Sequence, residues 1–352
     1  MATPKRAGAD SVLDLTTQAL TTVPNLIGEA ASAAGDSIME LAERGALHVG
    51  NAMLYASAFH TIEVPRYRGT AGKLQRTADT ITVTVREYAN TRLDNRAGNS
   101  AKVRLGLKDI LLFGLPGMLK GHLDVDSRDR TLTISKDGRT LLSVGWGEVN
   151  ASFNGKGSPR MMARTIELLQ IWIVLCSEVL GLSTVRAKIG KKEAKETHEY
   201  AVDDLQTMVD DYLGVDCNGF TGLYLKAKFP ALSVTSQTTE EAYVSKEAHN
   251  RKTVGDIKAD DIVAFNDGSY HHVAMVGAVL QYLPGEALVI LSESRSAGLV
   301  HGGPQSNLWR VRQHMIKDRW GKPTGKTEEG KFDIVDRGKD KFVKIASPDR
   351  FK

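Results

Sequence analysis

The chain has 352 residues, 41% hydrophobic and 25% charged, the composition of an ordinary globular protein with room for two domains or for one core with a substantial extension. Its net charge of +4 is small, and the stretch Ile316 to Lys352 holds eleven Lys/Arg against seven Asp/Glu. The remainder is close to neutral, which argues against a nucleic-acid binder with a large basic footprint.

Residues 10 to 57 are rich in Ala, Leu, Thr and Ser and predict two amphipathic helices interrupted at Pro24, the second capped by Asp36 or Ser37. The first residues, MATPKRAGADSVLD, lack the apolar run of a signal peptide. The chain is therefore expected to be made in the cytoplasm, with any export through a dedicated route. From 58 to 153 the period changes to that of strands: TITVTVREY (80 to 88), HLDVD, RTLTIS and RTLLSVGW alternate or run β-branched, and Asp137-Gly138 is a strong hairpin turn. NGKGSPR (154 to 160) reads as a linker.

After it, IELLQIWIVLCSEVLGL (166 to 182) contains Glu167 and Glu178 and is short of a membrane span, so a buried helix is expected, with no stable membrane insertion. The charged stretch from Lys191 to Gly214 reads as a second helix, and its Asp203-Asp204 and Asp210-Asp211 pairs as a solvated face rather than a metal site. The two cysteines, Cys176 and Cys217, are too few for a disulfide framework, and no CxxC pair suggests bound metal. No cofactor motif stands out. Residues 233 to 253 read as a polar surface loop. Strands are expected at DIVAF (261 to 265), HHVAMVGAVLQYL (271 to 283) and ALVILSES (287 to 294), with turns at NDGS and Pro284-Gly285, and His301 falls in a loop. The polar, charged tail carries short strand-like pieces, KFDIV and KFVKI.

Cys176 lies in an apolar run and reads as a buried small side chain. Cys217, in GVDCNGFTGLYL, does not. Asp216 is placed to cap a helix whose first residue is Cys217, where free N–H groups and the helix dipole would lower the thiol pKa and receive an oxyanion. Gly219 and Gly222 would let the helix lie close on a sheet, with Phe220, Leu223 and Tyr224 filling the core. A thiolate nucleophile needs an imidazole, and His272, at the start of a strand, can meet a helix N-terminus, whereas His271 faces the other way. If the strands flanking Pro284-Gly285 are antiparallel neighbours, Glu293 comes to His272 as the group that orients it, with Ser292 and Ser294 as alternatives. Asn218 has no role in this scheme.

The order DCNGF, a polar loop, IKADDIVAF, HVAMVG and a strand ending in a polar residue resembles the NlpC/P60 branch of the papain-like cysteine peptidases, over about residues 200 to 300. The departures are Asn218 for the usual serine, Ala259-Asp260 for Pro-Gly, and the absence of a third-position histidine. The resemblance implies a papain-like α+β domain over 160–310, preceded by the helical segment 1–57 and the β-rich 58–153, and followed by a charged extension 311–352. It implies Cys217 as nucleophile, His272 as base and Glu293 as third residue, with Asp216 and Tyr212 on the substrate side and Tyr200 competing with Tyr212.

The expected activity is that of a cysteine amidase or endopeptidase cutting peptidoglycan stem peptides. Without a signal peptide such a hydrolase could be an antibacterial effector toxin, delivered by a secretion apparatus to a target cell periplasm and held by a cognate immunity protein. One rival keeps the thiol chemistry for deamidation, transglutamination or acyl transfer on host proteins or lipids. Another is a non-catalytic structural or adaptor protein that retains the shell.

Overall fold

The computed structural model describes residues 51–86, 106–189, 196–295, 302–335 and 342–352. Most of the two helices expected over residues 10 to 57, with the Asp36 or Ser37 cap, lies outside these, as does His301; the second is expected to run on to Leu54, but Asn51 is extended (φ −129°, ψ 124°) and a new helix starts after it. α1 (Ala52–Ser57) begins at Asn51, whose side chain accepts the Met53 N–H. Its Tyr55 packs on Phe59, Phe220 and Tyr224, so this short helix belongs to the central core.

β1 (Ile62–Thr70) and β2 (Lys73–Val83) form an antiparallel ribbon turned at Ala71-Gly72, both with positive φ (51° and 73°). The strand expected at 80 to 88 is the end of β2, which stops at Val83. After α2 (Leu115–Met118) comes the expected meander of β3 (Asp124–Arg128), β4 (Thr131–Lys136) and β5 (Arg139–Gly145), with Asp137 and Gly138 at φ 51° and 76°.

α3 (Trp146–Phe153) and α4 (Pro159–Val174) follow. Ser158 caps α4 through Met161 N–H, and Pro159 supplies the first-turn residue that needs no N–H partner. The stretch 154–160, expected as a linker, is thus a tight connection and helix start. One buried cluster runs through Ile134, Phe153, Trp172 and Phe220 on both sides of it.

The charged stretch expected as one helix is a strand and a helix. β6 (Thr184–Ile189) pairs with β7 (Glu196–Ala201), and α5 (Leu205–Tyr212) starts only where the Asp204 carboxylate accepts the Thr207 N–H. Thr197 and Tyr200 suit a strand, and charge alone is no helix signal. α6 (Cys217–Lys228) follows.

The rest is a closed barrel of β8 (Ile262–Asn266), β9 (Tyr270–Leu283), β10 (Glu286–Arg295), β11 (Gly303–Lys317), β12 (Pro323–Ile334) and β13 (Phe342–Ala346), in the order β10-β11-β12-β13-β8-β9 with antiparallel neighbours throughout. The described residues beyond 310 are therefore not a separate extension: they supply β11, β12 and β13 of the barrel, and position 310 lies inside β11. Alternation sorts the two faces: Phe265, Ala274, Val276, Val289, Leu291, Val311, Phe332 and Val343 form a separate buried cluster, whereas Ile262, Ala264, Val273 and Met275 belong to the main core with α6 and α1. The protein is α+β, and no helix among the described residues is long and apolar enough to cross a membrane.

Candidate functional site

The N-terminus of α6 is held from several sides. Asp216 N–H donates to Gly155 O at 3.0 Å, and the Asp216 carboxylate accepts the Gly219 N–H (2.6 Å) and the Lys156 ammonium (2.8 Å). Cys217 is the first helical residue, as the motif predicts. Asp216, expected on the substrate side, is engaged with Lys156 and the helix end. Burial raises its carboxyl pKa, and Lys156 works in the opposite direction.

The glycines act against loops rather than against the sheet. A Cβ on Gly219 would lie 2.2 Å from Gly155 O, and one on Gly222 would lie 2.3 Å from Thr235 O. Below them Phe220 and Tyr224 are buried, while Leu223 is partly exposed. Tyr224 OH donates to Asp260, which also binds Lys228 at 2.6 Å. Asp260 has φ 69°, so an aspartate takes the left-handed conformation in the turn before β8, and its carboxylate ties that turn to α6. The next residue, Asp261, is buried and accepts both arms of the Arg251 guanidinium fork, at 2.8 and 2.6 Å.

His272 opens the barrel-lining face of β9, its ring 5.2 Å from that of Phe265. Its Nε2 is 2.6 Å from Glu293 Oε2 on β10. The Glu293 side chain is 0% exposed and that of His272 15%, so the pair is shielded, with the imidazole the more accessible partner. The two serines weighed against Glu293 are engaged elsewhere. Ser292 Oγ pairs with Ser306 Oγ at 2.8 Å, and Ser294 Oγ donates to Val215 O at 2.5 Å, linking the end of β10 to the residue before the Asp216 cap. His271 is half-exposed, 3.7 Å from Asp267.

Cys217 does not hydrogen-bond to His272. Its thiol points to Glu240 Oε1 at 4.0 Å, and the Asn218 amide donates to the same oxygen at 2.8 Å. Asn218, unassigned from sequence, thus holds a carboxylate over the sulfur. The thiol pKa is pushed up to about 12, first by burial and next by the Asp216 charge. The Val273 N–H pulls it down, Glu240 pushes it up again and Lys156 pulls it down. This reverses the lowered value expected at a helix N-terminus, because desolvation and carboxylates outweigh the N–H groups here. Cys176 is fully buried and is raised to about 11 by burial alone.

Glu240 belongs to the stretch 233–253, whose inner face is buried through Tyr243 and Val244. The turn Pro348–Phe351 clasps that stretch: Ser233 N–H donates to Phe351 O (2.9 Å), Lys246 Nζ to Arg350 O (3.2 Å) and Arg350 Nη2 to Ser245 Oγ (3.0 Å), with Tyr243 edge-on to Phe351. Tyr243, rather than Tyr212 or Tyr200, is the tyrosine electrostatically linked to Cys217; its own pKa is raised first by burial. Tyr212 is buried beside Tyr200 and near Asp211 and Asp203, and its pKa is raised chiefly by burial.

Sequence reasoning missed Lys156, Glu240 and Tyr243. Glu240 reaches the thiol itself and Lys156 reaches its neighbour Asp216, each through tertiary packing from a segment with no pattern of its own; the unexplained Asn218 was the one available signal. Among the described residues no group of three or more His, Cys, Asp or Glu side chains could hold a metal ion. No protein-family model, no curated protein and no solved structure matches this chain.

Proposed function

We propose that the chain is a papain-like cysteine hydrolase, an amidase or endopeptidase whose substrate class is the stem peptides of peptidoglycan. The observation that carries this reading is the 2.6 Å His272–Glu293 pair, shielded at the end of β9 and β10. The neighbouring residue on β9, Val273, turns its N–H to the sulfur of a cysteine at a helix N-terminus. The substrate class rests on the resemblance of residues 200 to 300 to the NlpC/P60 branch.

In the reaction Cys217 passes its proton to His272 and attacks the amide carbonyl. The free N–H groups at the start of α6 receive the oxyanion, the imidazolium returns the proton to the leaving amine, and water hydrolyses the thioester with His272 as base. Glu293 keeps the imidazole oriented. The arrangement described here precedes that sequence: Glu240 caps a neutral thiol and must withdraw before the sulfur turns to His272. Delivery as an effector to another cell, with an immunity protein over the cleft, belongs to the same proposal.

The test is digestion of purified peptidoglycan, read as new amine termini by mass spectrometry. Wild type is expected to release them and Cys217→Ala to release none. A wall left intact by both wild type and Glu240→Ala overturns the substrate assignment.

One observation favours a second reading. A sulfur with a raised pKa and no hydrogen bond to the histidine is what a non-catalytic, adaptor-like shell would also have. If iodoacetamide labels Cys217 as slowly as Cys176 in wild type and in Glu240→Ala alike, this second reading replaces the first.

A further inference from the structure

The hairpin of β11 and β12 runs past the barrel. β11 pairs with β10 only as far as Arg312, and β12 touches β13 only at Phe332, so residues 314 to 331 pair with one another as a two-stranded ribbon. Positions 316 to 327 are all exposed. The tip is nonetheless built: the Asp318 carboxylate accepts the N–H groups of Trp320 and Lys322, both at 2.8 Å, and Gly321 turns the chain at φ 78°. That turn presents Trp320 at 72% exposure and Ile316 at 38%, with the Arg319 guanidinium 4.6 Å from the indole centre. Lys317, Arg319, Lys322 and Lys326 surround them, and among the described residues none of the four is paired with a carboxylate.

A second apolar group lies at the same end of the barrel. Glu286 pairs with both Leu283 and Arg312, which puts the β9–β10 turn beside the base of the ribbon. Leu280, Tyr282 and Leu283 are 41%, 51% and 41% exposed there. Large apolar side chains exposed together in this way mark an interaction surface.

We propose that this end of the barrel docks on an anionic lipid surface, with Trp320 and Ile316 seated among the headgroups and the four cations paired with phosphates. Indole at the boundary between apolar and wet layers, ringed by Lys and Arg, is the chemistry of an interfacial anchor. A partner read by charge alone would leave Trp320, Ile316, Leu280 and Leu283 without a role. The His272–Glu293 pair is at the opposite end of β9 and β10, so the candidate site lies away from the lipid. This inference is independent of the proposed hydrolysis.

The test is co-sedimentation of the full chain with vesicles of phosphatidylglycerol and phosphatidylcholine, against phosphatidylcholine alone. Binding is expected only with the anionic vesicles, with a blue shift of tryptophan emission and weakening at high salt. Trp320→Ala should abolish the shift, and Arg319→Glu with Lys322→Glu should weaken binding by about tenfold or more. Both variants change only exposed tip residues. Failure of wild type to bind anionic vesicles, unchanged binding by both variants, or tighter binding to a single-stranded oligonucleotide than to the vesicles overturns the proposal.

Discussion

Cys217 sits where backbone N–H groups favour an anion, yet its thiol is held neutral. Burial and the carboxylates of Asp216 and Glu240 push in one direction, while Val273 N–H and Lys156 push in the other. With the pKa raised to about 12, alkylation of Cys217 in wild type should still be climbing above pH 9.5, with no plateau near the usual thiol value of about 8.5. Glu240→Gln keeps an acceptor for Asn218 but removes a negative charge at the sulfur. It should speed alkylation at pH 8, by about tenfold for each unit the thiol pKa falls; an unchanged rate would show that Glu240 does not control the thiol. Glu293 acts on a different atom. In a hydrolase, Glu293→Gln should cost about 10³ to 10⁴ in kcat, measured on released amines, because the imidazole loses the partner that orients it. At this scale the cap and the first helical position of Cys217 were legible from a helix-start motif, and the meeting of His272 with Glu293 from strand alternation. Glu240 was not, because its place over the sulfur depends on how a long loop folds back.

Among elements, α6 and the stretch 233–253 behave as one unit. Gly222 faces Thr235 O so closely that a Cβ would meet it at 2.3 Å. Gly222→Ala is therefore expected to cost about 1 to 3 kcal/mol in urea unfolding. It should also speed Cys217 alkylation, because Thr235 roots the cover. Normal stability and normal labelling together would contradict that coupling. The pairing of β9 with β10 was readable from period-two alternation around Pro284-Gly285, and the meander from Asp137-Gly138. The barrel was not readable. Among the described residues β12 and β13 bring Phe332, Val343 and Ile345 into its interior, with Ile334 partly buried against them, and beside so many charged neighbours such sparse apolar positions read as tail. The strand at 196–201 was hidden for the same reason, by the charges that flank Thr197 and Tyr200.

For the whole molecule, buried carboxyls set the response to pH. Glu167 on α4 accepts the Tyr67 OH at 2.7 Å, and burial raises its pKa above the ordinary 4.5. Asp216 and Asp261 are raised for the same reason. A group with a raised folded pKa stabilises below its unfolded value, and that contribution fades as pH climbs through the folded one. The melting temperature is thus expected to fall as pH rises from about 4.5 toward neutrality, and Glu167→Gln should flatten that fall while keeping an acceptor for Tyr67. Equal slopes in the two proteins, followed by circular dichroism, would remove Glu167 from the account.

The barrel seam carries a further consequence. β8 has β9 for one neighbour, but its other edge stays open until β13 arrives, after four more strands have been laid down. Such long-range closure is slow. The clasp at 348–351, which anchors the cover of Cys217, comes later still along the chain. A chain caught on the ribosome before that point therefore carries a bare sulfur and an unpaired strand edge together. Oxidation and edge-to-edge aggregation threaten the unfinished polypeptide more than the finished one, and a chaperone that shields β8 would guard against both.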